Sequence, residues 1–516
     1  MMTRERLDPV TLSVLASALA GVAEEMGAVL IRGAYSSNIK ERRDCSTALF
    51  DGRGRMVAQA EHIPVHLGAM PEAVAAIMRH DPRPGDVFAI NDPYSGGTHL
   101  PDITLVSPVA PGEAGEIIGY AVTRAHHSDV GGMRPGSMPS DSREIYQEGI
   151  IIPPLRLVRG GEYVDDILDF ILANVRTPEI RRGDLRAQIA ANRIAEERVG
   201  ELIERRGKEI VLAAFDEVIA YTERRTREAI RELPDGVYRA EDFLEGDGTV
   251  EDEDIPIRAT VRIKDDSISI DFAGTADSVR GNVNCPLPVT RSACYFALRV
   301  LLPKDMPANA GTYAPLEIRA PEGSVVNAKS PSAVVAGNVE TSNRIADAVL
   351  AALSEAASLP AQGQGTMNNT IIGGPGWTYY ETIGGGQGAS EKGPGPSGVH
   401  VGMSNTLNTP IEAFELEYPM RVERYELLYG SGGEGKHRGG DGIVRSVRVL
   451  EPASLSLLTD RRRHPPRGAN GGGPGKVGEN FLNEEKLPPK VSRELKAGDV
   501  VTVRTPGGGG YGRAEE

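Results

Sequence analysis

Asn91-Asp92-Pro93-Tyr94-Ser95-Gly96-Gly97-Thr98-His99-Leu100-Pro101-Asp102 leads into an apolar stretch, and Arg124-Ala125-His126-His127-Ser128-Asp129-Val130-Gly131-Gly132 closes a second one. Residues 102–109 and 116–125 read as strands. Pro111-Gly112-Glu113-Ala114-Gly115 between them is a turn sequence. The pair is therefore an antiparallel hairpin. With the turn centred near residues 112–113, the numbers of facing residues sum to about 225. His99 then faces His126, and Asp102 lies three residues along. Facing Cβ atoms are about 4.5–5.5 Å apart, close enough for two imidazoles to share one ion.

Two imidazoles and a carboxylate are a ligand set for a catalytic divalent ion that keeps a position open for water. Zinc, manganese or iron would fit. Asp44 also begins a strand at a loop edge and adds a candidate fourth ligand. His127 and Asp129 fall just outside the set, where they would orient a ligand or move a proton. The competing reading is that these histidines cap loops and bond backbone carbonyls. The spacing is not a strict motif of the His-Glu-x-x-His kind, so on spacing alone both readings stand.

Outward from the hairpin, the chain reads as α+β: a multi-domain mixed α/β chain with antiparallel hairpins carrying the metal site. Asp8-Pro9 starts a helix. Leu12, Leu15, Leu19, Val22, Met26 and Val29 recur at spacings of three and four along it, and it ends near Gly33. Asp51-Gly52-Arg53-Gly54 turns a second hairpin between 45–50 and 55–60. Residues 69–79 look helical, 86–90 look like a buried strand, and 133–160 look irregular. A helical stretch dense in Arg and Glu covers 184–233, with a break at Gly207, and Leu233-Pro234-Asp235-Gly236 stops it. Strand-like alternation fills 237–275, and 288–302 and 338–358 look helical. The remainder is Gly-rich and mostly β. Boundaries near 180, 235 and 360 divide the chain into 1–180, 181–235, 236–360 and 361–516.

The length of 516 residues corresponds to roughly three to four domain-sized units. Lys and Arg number 57 against 72 Asp and Glu, a net charge of −15 that disfavours nucleic acid and anionic membranes as partners. No run of 18 uninterrupted apolar residues is present, and the start, residues 1–6, is charged with no apolar signal region behind it. Cys45, Cys285 and Cys294 make neither a disulfide framework nor a Cys-x-x-Cys zinc site. The expectation is a soluble cytoplasmic protein.

Other candidate motifs are weaker. Gly384-Gly385-Gly386-Gln387-Gly388 lacks the Gly-Lys-Ser/Thr ending of a nucleotide loop, and no such ending occurs in the chain. A structural turn is the better reading. Ser37-Asn38-Ile39-Lys40 fits the short Ser-x-x-Lys pattern that chance often supplies. Arg461-Arg462-Arg463-His464 reads as a solvated basic turn. Asn368-Asn369 and Glu340-Thr341-Ser342-Asn343-Arg344 either line a cleft or cap helices. Cys45 and Cys285 have no setting that marks a reactive thiolate.

Taken together, these segments resemble the hydantoinase B/oxoprolinase family. The resemblance runs from Asp8-Pro9-Val10-Thr11 to the Gly-rich tail. Besides the two His segments, it is carried by Glu41-Arg42-Arg43-Asp44-Cys45-Ser46, Glu144-Ile145-Tyr146-Gln147-Glu148-Gly149, Gly337-Asn338-Val339-Glu340-Thr341-Ser342, Gly365-Thr366-Met367-Asn368-Asn369, Tyr380-Glu381-Thr382-Ile383-Gly384 and Asn405-Thr406-Leu407-Asn408-Thr409-Pro410. It implies the metal-bearing subunit of ATP-dependent enzymes acting on small amides and ketones: hydantoinases, oxoprolinase, caprolactamase, and acetone and acetophenone carboxylases. It also implies a hydantoinase A-type ATPase partner that binds ATP and Mg and phosphorylates the carbonyl, which agrees with the lack of a nucleotide loop here. The family's metal site carries over onto His99, Asp102 and His126, and less surely onto Asp44. Three readings follow: a subunit of a hydrolase opening a cyclic amide (hydantoin, oxoproline or lactam), a subunit of a ketone carboxylase, or a non-catalytic scaffold in a hetero-oligomer.

Overall fold

The computed structural model describes residues 7–112, 115–250 and 253–514. The charged start, residues 1–6, and Glu113-Ala114 of the expected turn lie outside the described residues. Helix α1 (Pro9–Gly33) begins where expected, because the Asp8 carboxylate accepts from the backbone N–H groups of Val10 and Thr11. By length and composition alone α1 could cross a bilayer. Its stripe of Leu19, Val22, Met26 and Leu30 is instead packed into a core with Leu49, Val57 and Ala191.

A short α2 (Ser37–Lys40) leads to the hairpin β1 (Cys45–Asp51) and β2 (Met56–Glu61), whose turn is held by Asp51 Oδ1 accepting from the N–H groups of Arg53 and Arg55. Next come α3 (Met70–Met78), β3 (Val87–Ile90), β4 (Asp102–Val109) and β5 (Gly119–His126). Residues 133–160, expected to be irregular, contain a 3-10 turn at Ile145–Gln147 and the strand β6 (Leu155–Arg159), which pairs with β7 (Glu162–Tyr163). All seven strands form one antiparallel sheet in the order β2-β1-β5-β4-β3-β6-β7.

After α4 (Asp165–Ala173), the long helix α5 (Pro178–Arg206) starts at Pro178 rather than at 184, because proline suits a first turn. Gly207, at φ 88°, separates it from α6 (Lys208–Arg231) as expected. Apolar residues of α1, α5 and α6 share a core with β1, β2 and β5 on one face of the sheet. The larger core lies on the other face.

The middle of the chain supplies β8 (Gly236–Glu245), β9 (Asp254–Lys264), β10 (Ser267–Asp271), α7 (Leu287–Leu301), α8 (Ala310–Tyr313) and β11 (Leu316–Arg319). Its sheet runs β11-β10-β9-β8, with β10 and β11 parallel. One turn of π-helix, Gly337–Thr341, precedes α9 (Ser342–Leu353). Such turns concentrate at functional sites.

The last part holds β12 (Asn369–Gly374), β13 (Trp377–Glu381), α10 (Ile411–Glu417), β14 (Met420–Leu428), β15 (Gly442–Val449), β16 (Ala453–Leu458), β17 (Glu479–Leu482), β18 (Glu485–Leu487), β19 (Lys490–Leu495) and β20 (Val500–Arg504). They form two further sheets, β13-β12-β16-β19 and β14-β15-β20-β17-β18. The glycine runs between the strands stack on one another. Gly508 donates to the Gly440 carbonyl at 2.9 Å and Gly433 donates to the Gly508 carbonyl at 2.8 Å. A Cβ on Gly508 would stand 2.1 Å from the Gln387 carbonyl oxygen, and one on Gly386 would stand 2.1 Å from that of Gly440. The Gly384–Gly388 segment is thus structural. The α+β class expected from the sequence is the class observed.

Candidate metal centre

The register of β4 and β5 differs from the expected one. Asp102, not His99, faces His126, and Val109 faces Gly119. The cause is that β5 begins at Gly119 rather than 116, so more of the chain belongs to the loop. His99 precedes β4 in a turn that the Asp102 N–H closes onto the His99 carbonyl. That turn folds its ring back over the strand end, and the three expected side chains still meet. His99 Nε2 lies 3.0 Å from Asp102 Oδ1, His126 Nδ1 lies 3.2 Å from the same oxygen, and the two nitrogens are 3.2 Å apart. All three residues are buried. Ligand atoms around a tetrahedral ion with bonds near 2.0–2.1 Å are about 3.3 Å apart, so the trio has the spacing of a ligand set.

The surroundings favour ligand roles for these atoms. His99 Nδ1 points at the Val335 carbonyl at 3.4 Å, which leaves Nε2 as the lone-pair nitrogen facing inward. That carbonyl is itself steadied by Glu148, whose carboxylate accepts from the N–H groups of Val334 and Val335. Burial pushes Glu148 up to about 7. Thr98 Oγ1 donates to Asp102 Oδ2 at 2.6 Å and Asn338, from the π-helical turn, reaches it at 3.4 Å. Burial alone would raise Asp102. The surrounding imidazoles of His99, His126 and His66 outweigh burial and hold the carboxyl well below its usual range. Burial lowers His126 despite its bond to Asp102. The His126 ring stacks on Tyr380 at 4.5 Å, and Arg42 lies over the same Tyr380 ring.

His66 is a residue the sequence reading missed. It sits in the 3-10 turn Pro64–His66, fully buried, with Nδ1 3.0 Å from Ser46 Oγ and Nε2 3.5 Å from Asp102 Oδ2. Among the described residues the Nε2 atoms of His66 and His126 have no hydrogen-bond partner. A buried polar atom of this kind calls for a partner, which an ion or a water can supply.

The other expected site residues are placed differently. Asp44 stands beside the trio, with its backbone carbonyl accepting from the His126 N–H, but its carboxylate is 3.8 Å from Arg42. His127 turns toward α5, where Nε2 meets Gln188 Oε1 at 2.9 Å. Burial, helped by Arg181, lowers it to about 4. Asp129 is occupied by the N–H groups of Gly131, Gly136 and Arg176 and by the Arg176 guanidinium. Neither His127 nor Asp129 joins the trio, because successive residues leave the end of β5 in different directions.

Most residues of the minor motifs are held by partners within the fold. Arg461 is not solvated: it is buried, 2.9 Å from Asp242 and 2.6 Å from Asp347. Glu245 accepts from the backbone N–H groups of Arg462, Arg463 and His464. Ser37 Oγ bonds Tyr418. Asn369 bridges Glu340 and the Tyr380 hydroxyl. Cys285 is buried and pushed up to about 12 by burial.

A buried His-Asp-His group at one end of an antiparallel sheet defines the class of this fold, a carrier of a candidate metal centre. The chain belongs to the hydantoinase B/oxoprolinase family, whose sequence model matches residues 8–514. It is 40% identical to 5-oxoprolinase 1 of Arabidopsis thaliana over 98% of its own length and 42% of the relative's. It spans about two-fifths of that relative. It is 35% identical to a putative D-/L-hydantoinase subunit from Pseudomonas sp., with 99% and 91% covered. Its fold is similar to that of the ATP-dependent caprolactamase of Pseudomonas jessenii, with TM-score 0.91, 30% identity, and 98% and 91% covered. Acetone carboxylase shares the fold at TM-score 0.88 and 19% identity, with 98% and 76% covered.

Proposed function

We propose that this chain is the metal-bearing subunit of an ATP-dependent amidohydrolase that opens a cyclic amide (a hydantoin, an oxoproline or a lactam) after a hydantoinase A-type partner has phosphorylated the carbonyl oxygen. The observation that carries the reading is the convergence of His99 Nε2, His126 Nδ1 and Asp102 Oδ1 in a buried site. The 40% likeness to a 5-oxoprolinase and the 30% likeness to a caprolactamase favour an amide substrate.

His99, His126 and Asp102 would hold a divalent zinc, manganese or iron ion. When bound, such an ion supplies a Lewis acid and a water acidified to near neutrality. An amide resists attack because resonance gives its C–N bond double-bond character. Phosphorylation of the oxygen removes that resonance, which gives ATP its purpose. Val335 and Glu148 orient His99, and Asn338 and Thr98 orient Asp102. Burial keeps bulk water from the activated carbonyl. His66 Nε2, 3.5 Å from Asp102 Oδ2, would hold the proton released on attack.

The test is reconstitution of the chain with an A-type partner, ATP and Mg. Hydantoin, oxoproline and caprolactam are supplied with and without bicarbonate in H2(18)O. Label in the carboxylate product or in released phosphate, independent of bicarbonate, supports ring opening. Turnover only with a ketone plus bicarbonate would replace it with carboxylation.

A further inference from the structure

The family reading leaves a cavity along α9 unused. A space of about 280 Å³ runs along α9. It shares a helical run with the metal centre without being part of it: Asn338 touches Asp102, while Asn343, Asp347 and Leu350 further along line the cavity. Its walls are mixed: Phe296, Val300, Leu350 and Leu359 are apolar, while Asp347 on α9 and Arg467 on a facing loop are charged.

The charged wall belongs to a cluster of both signs, in which Asp242, Asp347 and Asp460 lie among Arg344, Arg461, Arg467 and Lys490. Asp347 and Arg467 thus offer a ligand one acidic and one basic group, which a molecule carrying both charges would engage. Both charged groups also have bonding capacity left. Arg344 and Arg461 bond Oδ2 of Asp347, and among the described residues no hydrogen bond reaches its Oδ1. Arg467 is half exposed; among the described residues its guanidinium donates from Nη2 to the Glu241 carbonyl and lies 3.7 Å from Asp242, with its other N–H groups without a hydrogen bond. An ammonium can bond Asp347 Oδ1 while a carboxylate bonds Arg467. Asp347 and Arg467 belong to one cluster, joined through Arg461 and Asp242, so both charges of the ligand belong together on one carbon. A single apolar side chain then extends along the cavity.

We propose that this cavity binds a free α-amino acid with an apolar side chain of about leucine size. The site goes beyond the ring-opening reading, and testing it needs neither ATP nor partner. The experiment is calorimetric titration of the full-length chain with L-leucine, with 4-methylpentanoate and 3-methylbutylamine as single-charge analogues. Leucine should bind, and each analogue should bind on the order of tenfold more weakly or worse, since a hydrogen bond between charged groups is lost. Arg467→Gln, a half-exposed change, should weaken leucine by a similar factor. Ala351→Phe should fill the cavity and abolish binding, and thermal melting checks that both variants fold. No heat with leucine at millimolar concentration, equal binding of an analogue, or unchanged binding in folded Arg467→Gln and Ala351→Phe proteins would each overturn the proposal. None of these results bears on whether the reconstituted complex opens a ring.

Discussion

Asp102 and His126 face each other across β4 and β5, and their side chains meet at 3.2 Å. The strand register therefore sets two of the three candidate ligand atoms, and the turn before β4 only has to deliver His99. A centre built on paired strands is stiffer than one built on loops, and it should be sensitive to loss of any member.

Removal of His99 is the first test. His99→Ala should reduce bound divalent metal to background in elemental analysis of purified protein, while His127→Gln should retain the wild-type content because its ring faces Gln188. A full metal complement in His99→Ala protein would remove the ligand assignment.

His66 and Asn338 reach Asp102 Oδ2 and would orient the carboxylate rather than bind an ion themselves. His66→Gln and Asn338→Ala should each weaken metal affinity about 10–100-fold, the usual effect of losing a group that orients a ligand. Competition with a chelator of known affinity measures this without any turnover.

His400 gives a pH signature away from the centre. Its Nδ1 is 2.8 Å from Ser404 Oγ, and burial, aided by Arg42, lowers it to about 4 from 6.5. The unfolded chain therefore takes up the proton first. The stability held above pH 6.5 drains away as pH falls toward 4. The ring accounts for about 2 kcal/mol between pH 7 and pH 5. Urea unfolding of His400→Gln at both values should show a pH dependence smaller by about that amount.

Arg461→Met leaves Asp242 and Asp347 short of a buried counter-charge. It should cost about 3–5 kcal/mol, read as a lower denaturation midpoint at an unchanged slope. A loss within experimental error would mean that the guanidinium is solvated after all.

Glycines separate into two kinds. Gly508→Ala should destabilise by about 1–3 kcal/mol, because its Cβ would strike the Gln387 backbone, which has no room to give. Gly21 lies in α1 with nothing within 4 Å of an added Cβ. Gly21→Ala should raise stability by about 1 kcal/mol through helix propensity. Thermal melts of the two variants should move in opposite directions.

Much of this architecture is legible in the residues. The three-and-four spacing from Leu12 to Val29 and the Asp8 cap mark α1, Gly207 marks the α5–α6 break, and Asp51-Gly52-Arg53-Gly54 marks the first hairpin. The meeting of His99, Asp102 and His126 is also legible, although the register behind it is not. Register depends on where β5 starts, and the polar-to-apolar change from Glu116 to Ile118 points to a start several residues too early. His66 is invisible because nothing near it in sequence is a ligand. The acid it faces is Asp102, brought close only by tertiary packing. Arg461 looks solvated because its counter-charge, Asp242, belongs to a distant strand. A run of charges carries no mark of the partners that bury it.

The stacked glycines bear on how the chain folds. Gln387 and Gly388 meet Gly508, the Ala389 N–H donates to the Gly509 carbonyl, and Gly433 meets Gly473 and Gly510. None of these contacts is local, and glycine gives up more freedom on ordering than any other residue. Closing such long loops is disfavoured until many contacts form together. The stack should therefore assemble late and in one step, after the flanking strands have paired. In a refolding time course its amides would be the last to gain protection from hydrogen exchange, with those of Gly433, Gly440 and Gly508 rising together.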